Sequence, residues 1–514
     1  MKSNIDRLST IVILLGVFLS FYFNLGSVAL FNLDEGAFGE ATREMVESGN
    51  YLTTYLNGAL RFDKPILIYW LQALSVHIFG LGEFALRLPS ALSATLWVVV
   101  LYRFVKSHYD QNIAFLSAFM MATSLQITII AKASIADALL NLLIASSMFL
   151  LYNYYLHRDK LLLYLLFFLI GLGVLTKGPV AILIPIMVSS IFFTIKRELK
   201  LWFAMVFNPI GILIFLAVAM PWYTLEYLDQ GERFIDGFFF KHNLNRFNTS
   251  LEGHSGSLLY FIPVVLVGLI PYTTILLRSI VDIRSWFRDD LTLFLIIWFG
   301  SVFIFFSLSG TKLPHYVIYG YTPLFVLMAL SIEKIRSDLW LLLPPMILFA
   351  ILLILPHIVP FAEPYIKKPF VRAMVSSGVD EFAWWWSLFF VTLIGFYIWL
   401  IRSSIATRDY KLFAMGITTM ITINGVVMPT YAAITQEPIK EAALFAKERG
   451  YDIYLWEFNV PTFMVYREQI THRDRPKKGD IVVTKSGKLD SFKSYDILYA
   501  KHGVVMAEIR DDRE

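Results

Sequence analysis

The sequence contains no cysteine and few charged residues. Among its 514 residues, Asp, Glu, Lys and Arg together make up 16%, whereas ordinary soluble domains carry about 25%. The absence of cysteine excludes disulfides, thiolate metal sites and cysteine nucleophiles. A net formal charge of +4 is modest and, without its distribution, says little about partners. The low charge, together with 57% hydrophobic residues, indicates a polytopic membrane protein.

Long apolar runs account for most of the chain, and about thirteen of them have the length of a membrane-spanning helix. We interpret the first run as a retained helix and not as a cleaved signal peptide, because it is longer than a signal h-region and shows no small-residue cleavage site. The predicted spans are 8–33, 84–105, 113–130, 136–156, 161–175, 180–195, 202–222, 258–277, 291–308, 317–332, 340–357, 384–401 and 413–433.

Lysine and arginine alternate between the predicted loops. With a cytoplasmic N-terminus, every inner loop carries at least two of them, whereas the short outer turns carry one each, namely Lys132, Lys177 and Lys312. This bias follows the positive-inside rule. It places the C-terminus and three long segments outside the membrane, at 32–83, 223–257 and 358–382.

The composition changes after Ala433. The stretch 437–450 has helical periodicity, and "YDIYLW", "GDIVVT", "YDILYA" and "VVMAEI" are typical of short strands. We therefore predict an all-α polytopic membrane domain over 1–433, followed by a small α/β domain over 434–514 outside the membrane.

The first outer segment, "NLDEGAFGEATREMVESGNY", places two carboxylates directly after an apolar run. Asp34 is predicted to be the N-cap of a helix and Glu35 a first-turn residue, which are common structural roles. Two catalytic carboxylates at the membrane surface are the alternative interpretation. A second interfacial helix is predicted to start at Pro65.

Other ionisable residues fall on the predicted outer face. Asp63 and Lys64 precede the second loop helix, where an ordinary surface ion pair would account for them. Lys132, Lys177 and Lys312 each lie between two apolar spans, and Asp137 lies at the start of one. Snorkelling to the interface explains a single lysine. Because ionisable groups at membrane depth are costly and usually face a polar cavity or each other, their recurrence on one face favours a functional site.

The long outer segment 223–257 carries His242, Arg246 and His254. Helical spacing would place His242 and Arg246 on one face. A histidine in a loop is usually an ordinary surface residue, so a metal-binding role for either histidine stands beside that simpler alternative.

These residue types together suit group transfer from a phosphate. Cations bind and stabilise a phosphate, and a carboxylate can deprotonate a hydroxyl. Transfer between a lipid phosphate and an acceptor at the outer leaflet needs both. We expect an outward-facing site of carboxylates, histidines and dispersed cations, covered by the C-terminal domain.

The same segments resemble the aminoarabinose transferase and protein mannosyltransferase superfamily, which are membrane glycosyltransferases of the GT-C fold that use polyprenyl-phosphate sugars. The resemblance covers residues 1–320, in order, and the combination is specific although each piece is short. The matching segments are "LDEGAFGEATREMVESGNY", "LRFDKPILIYWLQALSVHIFG" with "ALRLPSAL", "LTKGPVAILIP", "HNLNRF" with "GHSGSLLYF", and "GTKLPHY".

The resemblance implies an inverting transfer of a sugar, with aminoarabinose as one option, from a polyprenyl-phosphate donor such as undecaprenyl phosphate. The acceptor would be lipid A, another glycolipid, a polysaccharide or a protein. The expected location is the bacterial inner membrane, with the site and the C-terminal domain in the periplasm. We expect a monomer with no nucleotide cofactor and no nucleic-acid partner.

Site roles are implied in the same way. Asp34 corresponds to the catalytic acidic residue, and the acidic-Lys-Pro motif, which usually has Glu, corresponds to 63–65. The shorter Asp63 would have less reach to a metal. The candidate catalytic residues are Asp34, Glu35 and Asp137; those for the donor phosphate are Lys64, Lys177, Lys312 and Arg246; those for a divalent metal such as Zn²⁺ or Mg²⁺ are Asp63, His242 and His254.

A transporter or flippase of lipid-linked sugars is the main alternative. It would show paired charges near the membrane centre and often a repeat, whereas here the charges gather on one face and no repeat is evident. A non-catalytic assembly subunit, with the outer domain as its contact surface, is a third interpretation.

Overall fold

The structure is a computed structural model that describes residues 2–244, 256–283, 287 and 289–511. Most of the described chain is helical. The helices, including short 3₁₀ and π segments, are Lys2–Val17, Phe18–Tyr22, Asp34–Ser48, Leu67–Phe79, Glu83–His108, Gln111–Ala122, Leu125–Lys132, Asp137–His157, Lys160–Lys177, Val180–Ile195, Leu199–Val206, Pro209–Gln230, Glu232–Phe234, Ile235–Leu244, Phe261–Gly268, Thr273–Val281, Asp290–Leu308, Pro314–Gly320, Tyr321–Ser331, Ile332–Lys334, Asp338–Ala362, Glu363–Tyr365, Pro369–Gly378, Val379–Glu381, Trp386–Arg402, Arg408–Thr422, Ile423–Val427, Met428–Thr435, Glu437–Glu448, Pro461–Arg467 and Leu489–Ser491.

Eight helices in these ranges are long and apolar enough to cross a membrane, and ten if each of two bent pairs counts as one span. The apolar helices Thr10–Tyr22 and Val180–Ile195 are shorter. The predicted span 258–277 is two helices, Phe261–Gly268 and Thr273–Val281. These regions account for the larger number expected from sequence, because hydropathy does not register a bend or a break inside an apolar run.

The first outer segment contains the two expected helices, Asp34–Ser48 and Leu67–Phe79, joined through a small hairpin. The second helix starts two residues after Pro65. Strands β1 (Tyr55–Leu56) and β2 (Ala59–Leu60) pair antiparallel around Asn57 and Gly58. Both turn residues have positive φ, 56° and 73°, as a two-residue turn of this kind requires.

The C-terminal region forms a four-stranded sheet in the order β3-β4-β6-β5. Its strands are β3 (Ile453–Leu455), β4 (Ile481–Lys485), β5 (Ser494–Lys501) and β6 (Val504–Asp511). β3 and β4 are parallel, and the other pairs are antiparallel. These are the four strands predicted from alternating patterns, and the helix Glu437–Glu448 lies where periodicity placed it. The short helix Pro461–Arg467 was not predicted, because seven residues carry too little periodic signal.

The C-terminal unit is anchored to the first outer segment by polar contacts. The Tyr466 hydroxyl accepts a hydrogen bond from the Leu30 N–H at 2.7 Å, and Lys440 pairs with Glu83 at 2.7 Å. The Asn57 side chain bonds both backbone groups of Thr471, at 2.7 and 2.9 Å. We propose that 434–514 is a separate domain with this docked position, because the sheet has its own apolar core.

Gly36 packs tightly against the C-terminal unit. A Cβ atom there would lie 2.5 Å from the Thr462 amide nitrogen and 2.7 Å from its Cγ2. We expect Gly36→Ala to weaken docking, with a loss of stability of about 1–3 kcal/mol because backbone must move. Thermal unfolding and protease sensitivity of the purified protein measure the loss.

Gly395→Ala is the matched control for this substitution. A Cβ atom at Gly395 meets nothing within 4 Å, and alanine is the better helix former. Equal melting temperatures for Gly36→Ala and the wild-type protein would contradict the close packing.

Candidate active site

Two cavities meet at Asp34. The first, of about 510 Å³, is polar and is lined by Asp34, Lys64, Asp137 and Lys177 among others. The second, of about 710 Å³, has a mainly apolar lining from several helices. Asp34, Ile135 and His315 line both. The arrangement places one exposed carboxylate between a cation-lined chamber and an apolar chamber.

Asp34 is not the N-cap that the sequence predicted. Its helix starts at Asp34 itself, the preceding residue Leu33 takes the cap position, and no side chain caps the helix. Among the described residues, the Asp34 carboxylate has no hydrogen bond or ion pair. The N-cap role, which was the structural alternative to a catalytic role for Asp34, is therefore absent.

Backbone strain precedes the carboxylate. Leu33 has φ 65° and ψ −74°, which is near the rare γ-turn conformation. For a residue with a side chain this costs about 1–3 kcal/mol and is found mostly at functional sites. The Leu33 carbonyl accepts the first helical hydrogen bond, from Ala37 N at 2.9 Å. Because of this sharp turn, Asp34 is the first residue of the helix and lies at the junction of the two cavities.

Glu35 also lines the apolar cavity, but its carboxylate is fully engaged in hydrogen bonds. It is 3% exposed and accepts bonds from Arg87 at 2.7 and 2.8 Å. The backbone N–H groups of Phe31 and Ser134 also donate to it, each at 2.7 Å. This saturation favours a structural role that fixes the loop, and we remove Glu35 from the proposed reacting groups.

The hairpin segment brings three charges to the polar cavity. Arg61 donates to Asp63, with one of the two bonds at 2.8 Å, and to the Ala37 carbonyl. The Lys64 ammonium donates to the Asp63 carbonyl at 2.9 Å and lies 3.9 Å from its carboxylate. The Lys64 side chain is only 14% exposed, so the simple surface ion pair considered from sequence does not describe it.

Asp137 and Lys177 form a second charged group in the polar cavity. Lys177 donates to Asp137 at 2.7 Å, and the Tyr319 hydroxyl donates to the same oxygen at 2.8 Å. Asp137 starts the helix Asp137–His157 and Lys177 ends the helix Lys160–Lys177. Each charge therefore complements its helix dipole, and the pair gives the cavity a fixed polar wall.

The remaining sequence candidates are not all brought to the cavities. Lys312 is 6% exposed, donates to the Ser309 carbonyl at 2.7 Å and lines neither cavity. His242 lies in the segment Ile235–Leu244, and its side chain is not among those described. Arg246 and His254 lie outside the described residues.

Sequence reasoning assigned no site role to four lining residues, of which Arg61 and His315 stand inside the quoted motifs and Lys241 directly before one. Arg61 precedes the Asp-Lys-Pro motif, Lys241 precedes His242, and His315 is the histidine of "KLPHY". Lys132 lines the apolar cavity and was grouped with the other cations between apolar spans, without a role of its own. Their proximity to recognised motifs was the available signal, but pattern spacing does not tell which neighbour faces a cavity.

The described residues do not form a metal site by themselves. Within those ranges no three side chains of His, Asp or Glu converge. The Asp63 carboxylate is bound by a guanidinium and lies beside an ammonium, which oppose cation binding. The surroundings of Asp63 therefore do not favour a divalent metal, and the side chains of the other two predicted ligands, His242 and His254, are not among those described.

The chain is similar to known proteins along most of its length. Residues 63–224 match the sequence model of the dolichyl-phosphate-mannose-protein mannosyltransferase family. The chain is 31% identical to an uncharacterized protein of Aquifex aeolicus over 317 residues, which are 62% of this chain and 71% of that protein. It is 26% identical over 373 residues to the undecaprenyl phosphate-alpha-4-amino-4-deoxy-L-arabinose arabinosyl transferase of Photorhabdus laumondii, covering 68% of this chain and 66% of that enzyme. The alignments thus span about two thirds of these relatives.

The fold has a counterpart among solved structures. ArnT from Cupriavidus metallidurans, bound to undecaprenyl phosphate, superposes with a TM-score of 0.81 at 20% identity, covering 99% of this chain and 98% of that one. The family match, the named relatives and the fold together indicate a multi-pass membrane glycosyltransferase. The chain belongs to the GT-C glycosyltransferase superfamily. The predicted family and fold class are confirmed, and the transporter alternative is disfavoured.

Proposed function

We propose that the protein transfers a sugar, with inversion, from a polyprenyl-phosphate donor to a lipid or glycan acceptor at the outer face of the membrane. The observation that carries this proposal is the position of Asp34. It is a carboxylate without an ion-pair partner among the described residues, placed where a cation-lined cavity meets an apolar one. A transferase needs such a junction because the donor phosphate and the acceptor must approach one carbon from opposite sides.

The polar cavity is the proposed donor site. Lys64 would contact the donor phosphate, since its side chain lines this cavity beside Asp34. Lys177 and Arg61 are held by carboxylates at hydrogen-bond distance and would add positive potential. Arg246 is retained as a donor contact on the resemblance alone. The leaving phosphate gains charge as the bond breaks, so these cations stabilise the transition state.

In the proposed step, Asp34 accepts the proton of the acceptor hydroxyl, and the hydroxyl oxygen bonds to the anomeric carbon of the sugar. The bond between that carbon and the donor phosphate oxygen breaks, and polyprenyl phosphate leaves with the electron pair. Attack from the side opposite the phosphate inverts the anomeric centre. If the acceptor atom is a phosphate oxygen, no proton is removed and Asp34 orients it instead. Asp137 stabilises Lys177 in this scheme and takes no proton.

We propose aminoarabinose as the sugar, undecaprenyl phosphate as the carrier and lipid A as the acceptor. The curated relative from Photorhabdus is an undecaprenyl-phosphate aminoarabinose transferase by name. An acyl-chain lipid also suits the apolar cavity better than a polar glycan or a peptide. A lipid-phosphate donor needs no nucleotide cofactor.

The loop charges support a bacterial inner-membrane orientation with the site in the periplasm. The consecutive helical segments from Pro314 to Lys334 together form one candidate span. His315, which lines both cavities, lies at one end of this span, and Lys334 lies at the other. The lysine- and arginine-rich loops belong at the cytoplasmic side, so the cavities and the C-terminal sheet would face outward. Labelling of single introduced cysteines from outside the membrane tests this orientation, since the chain has no cysteine of its own. Protection of a cysteine placed in the sheet domain would overturn the orientation.

The proposed function is tested by mass spectrometry of glycolipids from cells with and without this protein. Pentosamine additions to lipid A that are lost in cells without the protein would support both the proposed donor class and lipid A as the acceptor. Unchanged lipid A, with a change in another surface glycan or protein, would contradict lipid A as the acceptor. The proposal that the protein is a glycosyltransferase would still stand. No change in any of these would contradict the reaction.

Lys64→Ala provides a separate prediction for the donor site. We expect undecaprenyl phosphate to bind about tenfold or more weakly, because a charge-assisted hydrogen bond to the phosphate is lost. Binding to the purified protein measures the change. Lys160→Ala, at an exposed helix start, should bind as the wild-type protein does. Unaltered affinity in Lys64→Ala would remove Lys64 from the donor site.

A further inference from the structure

The apolar cavity contains a cation that the proposed reaction does not use. Lys132 lies at the end of the helix Leu125–Lys132 and lines the cavity. Its ammonium donates to the Phe23 carbonyl at 2.5 Å and to Asn424 Oδ1 at 3.0 Å. Both partners are neutral. Among the described residues, no carboxylate lies within ion-pair distance of it.

The neighbouring charges of this cavity do not compensate Lys132. Glu35 and Arg87 pair with each other. Asp34 also lines this cavity, but it forms no ion pair with Lys132 among the described residues. An ammonium has three protons, and the two neutral oxygens account for two. An uncompensated charge at membrane depth is costly and marks a functional site by default. Lys132 therefore adds a positive charge without an ion-pair partner among the described residues to a mainly apolar cavity that Asp34 also lines.

A purely structural role explains Lys132 poorly. The segments that it joins are already tied, because Asn24 donates to the Asn424 carbonyl at 3.0 Å and Asn424 donates to the Leu19 carbonyl at 3.1 Å. A neutral donor would complete the same contacts without the cost of a buried charge. These contacts therefore do not explain why the residue at position 132 carries a positive charge.

We propose that the Lys132 ammonium binds a phosphate on the headgroup of the acceptor lipid, whose acyl chains occupy the apolar cavity. This inference rests on the proposed function, in which Lys64 serves the donor phosphate in the polar cavity. The two phosphates are then held by separate cations on either side of Asp34. The acceptor class is accordingly a phosphate-bearing lipid, and not a neutral lipid or a protein.

The test measures binding to the full chain in detergent by native mass spectrometry. The probes are lipid A with both phosphates, the same lipid after dephosphorylation, and undecaprenyl phosphate. The variants are Lys132→Met, which removes the charge, and Lys132→Arg, which keeps it. Lys196→Met is the matched control, because Lys196 pairs with Asp290 at 2.6 Å and lines neither cavity. Circular dichroism verifies the fold of each variant, and Lys132→Gln replaces the methionine variant if that does not fold.

We expect Lys132→Met to lower affinity for phosphorylated lipid A by about tenfold or more, whereas Lys132→Arg and Lys196→Met retain it. Binding of dephosphorylated lipid and of undecaprenyl phosphate should stay within about threefold, which is under 1 kcal/mol. Equal affinity of the wild-type protein for both forms of lipid A would overturn the proposal. So would a matching loss for undecaprenyl phosphate, since Lys132 would then belong to the donor site.

These measurements require no sugar transfer. A chain that binds phosphorylated lipid A through Lys132 but leaves the lipid A of cells unmodified would contradict the proposed acceptor reaction and retain the binding site. A chain that transfers sugar but binds lipid A without using Lys132 would contradict the binding site alone.

Discussion

Asp34→Asn is expected to lower the turnover of sugar transfer by at least about a hundredfold, the usual contribution of a general base. Asparagine keeps the size of the side chain but cannot accept the acceptor's proton. Because Asp34 makes no structural bond to a described residue and is exposed at the start of its helix, the fold should be unaffected. Undecaprenyl phosphate should bind within about threefold of the wild-type affinity, which is under 1 kcal/mol.

Single-turnover transfer in detergent, with donor binding measured in parallel, checks this expectation. Asp290→Asn is the control, since Asp290 pairs with Lys196 in a partly exposed position, where an ion pair contributes little. Turnover within twofold of wild type in Asp34→Asn would remove Asp34 from the mechanism. A loss of donor binding equal to the loss of turnover would instead place Asp34 in donor recognition.

Arg87→Met is expected to destabilise the fold by about 3–5 kcal/mol, as breaking one partner of a buried ion pair does. Arg87 is 2% exposed, and all five of its donors are used. Two bonds go to Glu35, and the others go to the carbonyls of Leu25, Val28 and Ala29 at 2.6–3.1 Å. These carbonyls lead directly into the Asp34 turn, so the variant should also lose activity.

Thermal unfolding of the purified protein measures the effect. The double variant Arg87→Met with Glu35→Gln should recover part of the lost stability, because it leaves no unpaired buried charge. Arg158→Met removes a half-exposed ion pair with Glu198 and should cost less than about 1 kcal/mol. An unchanged melting temperature in Arg87→Met, or a double variant as unstable as the sum of its parts, would contradict the role given to this pair.

The positions of the elements were largely predictable. Helices cover most of the predicted spans, and the four C-terminal strands lie at the predicted stretches, because apolar runs and period-two alternation are local properties of the chain. The first span, predicted over 8–33, is helical only as far as Tyr22. The number of helices long enough to span was overestimated where a run is bent or broken, as between Phe261–Gly268 and Thr273–Val281. Such breaks depend on packing, which hydropathy does not contain.

Individual charges were less predictable than elements. Asp34 and Glu35 are adjacent and had the same two candidate roles, yet one lies open at the junction of the cavities and the other is buried in an ion pair. Lys177 and Lys312 had equivalent positions between apolar runs, but only Lys177 lines the polar cavity. The site roles of all four residues remain predictions. The geometry favours Asp34 and Lys177, which line the polar cavity, over Glu35 and Lys312.

The sequence by itself determined that this is a polytopic membrane protein, where its apolar helices and C-terminal strands lie, and which superfamily its motifs match. Each of these follows from composition, periodicity or short motifs, which are read along the chain. Only the tertiary structure decided that Glu35 pairs with Arg87, that Asp137 pairs with Lys177, and that Asp34 is left between two cavities. These outcomes depend on which helices pack side by side, because a charge in a low-dielectric interior is stabilised by the partner that packing brings near, however distant in sequence.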